Sequence, residues 1–203
     1  MKPTVIGLTG GIGTGKTQVS QILARMGAQL INADHLGHES YKAGTDGWEQ
    51  IVDTFGETIV GSDGEIDRQA LGKRIFSDPT ARAKLDAIVQ PKIAKLAEKR
   101  INELQSKNAG TIVFEAAILI EAGWDSLVDE VWVTHATEDV VLARLKRSKG
   151  LSEEESRDRI KAQLPVQERT MHGQVIIDNS GTLEGLQEMV ETIWNERLKE
   201  KDR

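Results

Sequence analysis

The sequence has 203 residues, a length that suits one domain with an insertion or two small domains, and its 38% hydrophobic and 29% charged residues exclude wholesale disorder. Asp and Glu outnumber Lys and Arg by 32 to 26, and the net charge of −6 disfavours a protein that coats nucleic acid. Because the chain has no cysteine, a disulfide scaffold, a thiolate metal site and a cysteine nucleophile are all excluded.

No segment of the sequence has the features of a targeting peptide or a membrane span. The apolar run that follows Met1 is too short and too often interrupted for the core of a signal peptide. The most apolar stretch, residues 112–119, contains Glu115 and is far shorter than the ~20 residues that a span needs. We therefore expect a cytosolic protein with no membrane partner and no nucleic-acid partner.

The first 34 residues predict a strand, a glycine-rich loop, a helix and a second strand. Residues 4–8 are β-branched and apolar, as in a buried strand, and they lead into a glycine cluster. Apolar residues from Val19 to Met26 then recur with helical spacing, and Gly27 can end that helix. Residues 28–32 predict the second strand, which completes a strand–helix–strand unit.

Residues 36–108 are predicted to be helical, without a strand. Helical apolar spacing places one helix directly before Gly56, and Asp67 can cap another that carries Leu71. A further helical stretch continues to Asn108, and Pro91 is expected to break or kink it.

Strand character returns in three runs that lie between helical segments, namely residues 111–114, 130–134 and 174–178. A last helix is expected from Thr182 to about Lys199. Strands that alternate with helices favour a parallel sheet. The sequence thus predicts an α/β fold in which a five-stranded parallel sheet is flanked by helices, with a helical insertion after the second strand.

Residues 10–17 read Gly-Gly-Ile-Gly-Thr-Gly-Lys-Thr and match G-x-x-x-x-G-K-[ST], the phosphate-loop (P-loop) motif, in the required place between a strand and a helix. Glycines let successive backbone N–H groups turn towards a triphosphate, and the helix N-terminus adds its positive end. Lys16 is expected to neutralise the β- and γ-phosphates, and Thr17 to bind Mg²⁺. The alternative is a glycine-rich turn that matches the motif by chance, but such a turn seldom has both a strand before it and a helix after it. The motif leaves the phosphate acceptor open.

Among proteins with this loop, the sequence favours a small-molecule kinase. It has neither the Asn-Lys-x-Asp or Thr-Lys-x-Asp signature of a GTPase nor the apolar strand with paired carboxylates of a motor ATPase. A kinase needs a base near the acceptor hydroxyl, and Asp34, directly after the second strand, can supply it. The alternative role of Asp34 is the N-cap of a helix that starts near Leu36. Intact Lys16, Thr17 and Asp34 disfavour a regulatory module that binds nucleotide without turnover.

A kinase also needs cations that cover the transferred phosphoryl group. Residues 144–169 hold eight basic and five acidic residues, and a capping box that begins at Ser152 starts a helix among them. Arg144 and Arg147 share one helix face at i, i+3 and are the best candidates for phosphate contacts in a closing lid. The alternative is a solvated helical hairpin.

Several segments together resemble the dephospho-CoA kinase family, which catalyses the last step of coenzyme A synthesis. The resemblance runs from about residue 4 to 195 and is carried by residues 7–17, 32–34, 115–121, 144–147, 150–152, 159–163 and 176–179. Asn32-Ala33-Asp34 looks like the family's Asp-Ala-Asp segment, and Glu115 stands where the family has Asp. Residues 35–38 and 90–91 resemble the kinase domain of bifunctional CoA synthases.

The resemblance implies a P-loop fold and a reaction in which ATP, with Mg²⁺, phosphorylates the ribose 3′-hydroxyl of dephospho-CoA to give CoA and ADP. It implies one kinase domain with three parts. These are a core at about residues 1–35, 108–143 and 172–203, a helical acceptor-binding insertion at about 36–107, and a helical lid at about 144–171.

The resemblance also implies roles for individual residues. The catalytic residues are Lys16, Asp34, Arg144 and Arg147. The residues that bind ATP are Gly11, Ile12, Gly13, Thr14, Gly15, Lys16, Thr17 and Asn179, of which Thr17 also binds the metal ion. The residues that bind the acceptor are Thr9, Asp34, His35, Glu115 and Leu119. Another P-loop small-molecule or nucleoside monophosphate kinase is the alternative, and the oligomeric state stays open.

Overall fold

The computed structural model describes residues 3–76 and 78–198. In the first part of the chain, β1 (Val5–Gly10), α1 (Lys16–Arg25) and β2 (Gln29–Asn32) precede α2 (Ala33–Ser40), α3 (Asp46–Phe55), α4 (Arg68–Phe76) and α5 (Pro79–Ser106). In the second part, β3 (Ile112–Glu115) and β4 (Glu130–His135) precede α6 (Glu138–Lys149), α7 (Glu153–Lys161), α8 (Val166–Met171), β5 (Val175–Asp178) and α9 (Leu183–Arg197). Short 3₁₀ turns lie at Glu57–Ile59 and Trp124–Leu127.

The strands form one sheet in the order β2-β3-β1-β4-β5, with parallel pairing around the central β1. This confirms the predicted five-stranded parallel sheet. The register pairs Leu8 with Glu115 and Gly10 with Thr134, so the carboxyl ends of β1, β3 and β4 lie at one edge. The loops that follow these strands converge at that edge, which is where open α/β sheets bind ligands.

The main apolar core lies where α1 and α9 pack with the sheet. Leu8 and Trp132 from the sheet, Leu23 from α1 and Val190 from α9 belong to this core and are fully buried. Each such side chain contributes about 1.5–3 kcal/mol by leaving water. Trp124, like Trp132, is buried in the apolar interior. All six residues of β1 are buried, and β1 leads directly into the phosphate loop.

The chain divides into two compact units. The first contains the chain up to Ile31 together with the chain from Ile101 onward, and the second is Asn32–Arg100. The second unit has its own apolar cluster, which includes Ile51, Phe55 and Leu71. Asp67 caps α4, because its Oδ1 accepts hydrogen bonds from the backbone N–H groups of Gln69 and Ala70 at 2.8 and 3.1 Å. The predicted cap at Asp67 is confirmed.

Of the two predicted effects of Pro91, a break or a kink, the break is wrong, because α5 continues through it without interruption. Pro91 lies on the exposed side of α5, and its missing N–H removes one hydrogen bond of the helix. Leu85 packs on the core of the second unit before Pro91, and Ile93 and Ala97 are buried after it. Packing on both sides of the proline therefore holds the two halves in one helix.

The predicted last helix is α9, whose predicted end near Lys199 lies outside the described residues. Within the part of the chain that the structure describes, none of the helices has both the length and the apolar character that crossing a membrane requires.

Candidate active site

The loop between β1 and α1 requires glycine at both ends. Gly15 has a φ of 95°, in the left-handed region, and a Cβ there would lie 2.0 Å from Asn179 Nδ2. At Gly10 a Cβ would lie 2.1 Å from Thr134 Oγ1. Side chains of other elements thus approach the loop backbone so closely that a residue larger than glycine does not fit.

The carbonyl groups of the loop are satisfied by side chains of the first unit. Thr14 Oγ1 donates to the Gly11 carbonyl at 2.8 Å and lies 2.7 Å from Thr134 Oγ1. Asn179, which is 2% exposed, donates from Nδ2 to the Thr14 carbonyl at 2.9 Å. Because these acceptors are bonded within the protein, the loop has a fixed shape. The Ile12 N–H donates to Gln163 Oε1 and the Thr14 N–H to the Gly11 carbonyl, and the other N–H groups of the loop are left to bind a ligand.

Lys16 is held against the first residues of the loop. Its Nζ donates to the Gly10 carbonyl at 2.7 Å and to the Gly11 carbonyl at 3.2 Å. An ammonium group on a flexible stem can turn from these carbonyls to phosphate oxygens with little rearrangement. The structure thus places Lys16 within the predicted phosphate site.

Thr17 and Glu115 bring two oxygen donors together beside the loop. Thr17 Oγ1 donates to Glu115 Oε1 at 3.3 Å, and Glu115 is the nearly buried last residue of β3. Mg²⁺ prefers oxygen ligands and usually takes one or two from the protein and the others from water and phosphate. The pair fits such an ion, although no group of three His, Cys, Asp or Glu side chains in residues 3–76 and 78–198 could hold a metal.

The structure brings Arg144, but not Arg147, to the loop. Arg144 Nη2 donates to the Asn179 carbonyl at 2.8 Å, and its Nη1 donates to the Gly13 carbonyl at 3.3 Å. Arg147 lies on the same helix, α6, with an exposed side chain that makes no hydrogen bond or ion pair in the described part of the chain. The two arginines therefore differ in environment, although the sequence treats them alike.

Arg169 is a buried cation that sequence reasoning did not single out. It is 2% exposed on α8, and its Nη2 donates to Glu121 Oε1 at 2.8 Å. Its Nη1 donates to the Ala117 carbonyl at 3.0 Å and to Thr9 Oγ1 at 3.2 Å. The only signal in the sequence is membership of a group of eight basic residues, which does not show which of them is buried.

Thr9 and Leu119, two predicted acceptor residues, have fully buried side chains. Thr9 Oγ1 donates to the Ala117 carbonyl at 3.3 Å and accepts from Arg169. The Cδ2 atom of Leu119 lies 2.6 Å from the place that a Cβ would take at Gly7, so Leu119 packs against β1. Both side chains therefore support the end of β1.

Asp34 lies in the second unit, in the first turn of α2. The N-cap of α2 is Asn32, whose Oδ1 accepts a hydrogen bond from the His35 backbone N–H at 3.1 Å. The alternative role of Asp34 as the cap of a helix that starts near Leu36 is therefore wrong, because β2 ends at Asn32 and the helix begins at once. Asp34 and His35 both have exposed side chains that are available to a ligand.

His38 follows Asp34 by one helical turn. Burial lowers the pKa of His38 below 6.5, the charge of Arg68 lowers it further, and Asp34 opposes this shift.

A match to a known family covers most of the chain. The family model described as dephospho-CoA kinase matches residues 4–185. The dephospho-CoA kinase of Geobacter sulfurreducens is 47% identical over 194 residues, which cover 96% of this chain and 98% of that protein. These findings confirm the resemblance that the sequence motifs indicate.

Two solved structures share the fold over nearly the full length. TT1252 from Thermus thermophilus has a TM-score of 0.79 and 30% identity, and the match covers 97% of this chain and 99% of that one. Dephospho-CoA kinase from Campylobacter jejuni has a TM-score of 0.75 and 23% identity, with 97% and 98% covered. The fold agrees with the matches in sequence, and the chain belongs to the dephospho-CoA kinase family.

Proposed function

We propose that the chain transfers the γ-phosphoryl group of ATP to the ribose 3′-hydroxyl of dephospho-CoA and so produces CoA and ADP. The observation that carries this proposal is the family match over residues 4–185, which includes an intact phosphate loop. The enzyme is thus an ATP-dependent kinase. The family disfavours the alternative of another small-molecule or nucleoside monophosphate kinase.

The loop and two cations would bind the donor. Backbone N–H groups of residues 11–15 that are not bonded within the protein would bind the β- and γ-phosphates, and Lys16 would neutralise them, whereas the Ile12 N–H donates to Gln163. Arg144, already against the loop, would stabilise charge on the transferred phosphoryl group. Arg147 would reach that group only if the predicted lid, residues 144–171, moves towards it. Asn179 supports this role as the buried residue that joins Arg144 to the loop.

We assign the Mg²⁺ ion to the Thr17 hydroxyl, with the Glu115 carboxylate beside it. The ion would supply positive charge that neutralises the phosphates. The proposal is supported by the chemistry of the two oxygen donors and by the hydrogen bond that holds them together. Glu115 would accept hydrogen bonds from the water that the ion retains.

Asp34 would act as the base for the acceptor. The carboxylate takes the proton of the 3′-hydroxyl while the hydroxyl oxygen forms a bond to the γ-phosphorus. The bond from the γ-phosphorus to the bridging oxygen breaks, and ADP leaves with its electron pair. The position of Asp34 two residues after β2, with an exposed side chain that caps no helix, supports this role.

Other contacts with dephospho-CoA would be made by the predicted insertion, residues 36–107, and by His35, whose side chain is exposed. Glu115 would serve the acceptor only through the ion. Thr9 and Leu119 would contact it through their backbone, because their side chains are buried. The cytosolic location stays a prediction from the sequence.

A coupled assay of ADP release tests the proposal. The chain is supplied with ATP, Mg²⁺ and one acceptor at a time, namely dephospho-CoA, shikimate, gluconate or a nucleoside monophosphate. We expect turnover with dephospho-CoA and with none of the other three acceptors. Mass spectrometry then tests whether the product is CoA. Turnover of another acceptor without turnover of dephospho-CoA would overturn the proposal.

A further inference from the structure

A cavity of about 230 Å³ lies between the phosphate loop and the segment that joins α7 to α8. Gly11, Ile12 and Val141 line one part of it, and Gln163 and Arg169 line another. Polar side chains that line this cavity link this part of the chain to the phosphate loop and to the end of β1.

Gln163 and Arg169 form such links, and they differ in burial and in the number of hydrogen bonds that they make. Arg169 is a buried anchor that joins α8 to Thr9, Ala117 and Glu121. Gln163 is half-buried, and its Oε1 accepts a hydrogen bond from the Ile12 backbone N–H at 2.8 Å. In the described residues this is the one hydrogen bond of the Gln163 side chain, so the side chain is joined to the phosphate loop at a single backbone group.

The partner of Gln163 is a backbone donor of the phosphate loop itself. Ile12 is the third residue of the motif, and the direction of its peptide group sets the path of the residues that follow. The Gln163 Oε1 atom also lies 3.4 Å from the place that a Cβ would take at Gly11, so the amide stands directly over the Gly11–Ile12 backbone. A group in this position feels the charge of any triphosphate that the loop holds.

The chemistry of the acceptor atom is the decisive point. An amide oxygen and a carboxylate oxygen can both accept the Ile12 N–H, but a carboxylate would bring a negative charge to the site where the triphosphate binds. Of these two groups, only the amide is an uncharged acceptor. The sequence alone does not show this need, since Gln163 lies 151 residues from Ile12.

We propose that Gln163 is a positioning residue for the donor triphosphate: its neutral oxygen fixes the Ile12 peptide and joins the α7–α8 segment to the phosphate loop. The identity of the donor as ATP rests on the proposed function. Affinity for the triphosphate then depends both on the hydrogen bond and on the absence of charge at residue 163, whereas affinity for the acceptor does not.

Three variants separate these effects. Gln163→Leu removes the acceptor at similar size, and Gln163→Glu keeps an acceptor but adds charge. Gln167→Glu is the matched control, because Gln167 lines the same cavity and its side chain makes no hydrogen bond to the loop in the described residues. Isothermal titration calorimetry measures the binding of ATP and of inorganic triphosphate without acceptor, and thermal unfolding measures stability.

We expect Gln163→Leu to weaken the binding of both probes by about five- to tenfold, as the loss of one hydrogen bond implies. Gln163→Glu should weaken it more at 0.01 M salt, where the Debye length is about 30 Å, than at 0.5 M NaCl, where it is about 4 Å. Gln167→Glu should stay within about twofold of the wild type, and none of the variants should change the KM for dephospho-CoA by more than about twofold.

Two results would overturn the proposal. If Gln163→Glu binds inorganic triphosphate as tightly as the wild type does, neutrality at residue 163 has no role. If Gln163→Leu lowers the unfolding temperature and weakens both substrates to the same extent, Gln163 only supports the fold. Because binding is measured without acceptor, wild-type protein that fails to turn over dephospho-CoA would refute the proposed function and leave the result for Gln163 standing.

Discussion

Replacing Arg169 with Met tests whether a charged group is buried beneath the active site. The guanidinium donates to Glu121, to the Ala117 carbonyl and to Thr9 Oγ1, and its side chain is 3% exposed. Arg169→Met removes these donors and keeps much of the aliphatic volume. It leaves the Glu121 carboxylate without its cation.

The expected cost follows from the burial of the two partners. Breaking a buried ion pair from one side costs about 3–5 kcal/mol. The Glu121 side chain is 29% exposed, so water can hydrate the carboxylate, and the lower end of about 3 kcal/mol applies. For a chain of this size that loss lowers the unfolding temperature by about 6–12 °C. Glu121→Gln keeps a neutral acceptor but leaves the buried guanidinium without a counter-charge, so it should also cost about 3–5 kcal/mol.

Urea unfolding measures both values. Trp124 and Trp132 are buried in the same unit as Arg169, so their fluorescence reports the unfolding of that unit. The double variant completes a cycle, and we expect a coupling free energy of about 1–2 kcal/mol between the two residues. A loss below 1 kcal/mol for Arg169→Met, or strictly additive effects in the cycle, would show that the pair is not a buried link in solution.

Three further predictions concern the loop, the base and the lid. Gly15→Ala should weaken ATP binding at least about 100-fold, because its φ is 95° and its Cβ would meet Asn179; calorimetric binding close to that of the wild type would contradict this. Asp34→Asn should lower kcat by about 10²–10⁴-fold and leave the KM for ATP within about twofold, and an unchanged kcat would remove Asp34 from the role of base. The pKa of Glu155 lies below 4.5 because Ser152 hydrogen-bonds to it, first through its backbone N–H. The stabilising effect of the ionised Glu155 carboxylate is therefore complete above pH 4.5 and is lost as the pH falls through the lowered pKa. The gap in unfolding temperature between wild type and Glu155→Gln should shrink from about pH 6 to about pH 3, and a constant gap would contradict the assignment.

The fold was predictable where local pattern and tertiary packing agree. Residues 4–32 follow strand and helix periodicities closely, and the observed β1, α1 and β2 differ from the predicted bounds only at their ends. Pro91 shows the limit of this reasoning. Its local preference is to interrupt a helix, but buried side chains before and after it keep α5 whole.

The start of α2 shows a different limit. Asp34 and Asn32 are both good N-cap residues, and the helical spacing of the apolar residues does not decide between them. The choice is made by β2, which ends at Asn32 and turns the chain directly into the helix. As a result the Asn32 side chain makes the capping bond, and the Asp34 carboxylate remains exposed for chemistry.

The phosphate loop can be predicted from eight consecutive residues, but the hydrogen bonds that hold its shape cannot. Thr134, Asn179 and Arg144 bond to the loop from positions that are 120, 165 and 131 residues away in the chain. The sequence predicts Arg144 and Asn179 as site residues but gives no sign of Thr134, and it does not show that all three bond to the loop, because these bonds form only in the folded chain. These three side chains bond to carbonyl and hydroxyl groups of the loop, and those loop N–H groups that are not bonded within the protein remain for an anion. An acidic chain with a net charge of −6 can therefore hold a triphosphate, because backbone dipoles and a few placed cations set the local field.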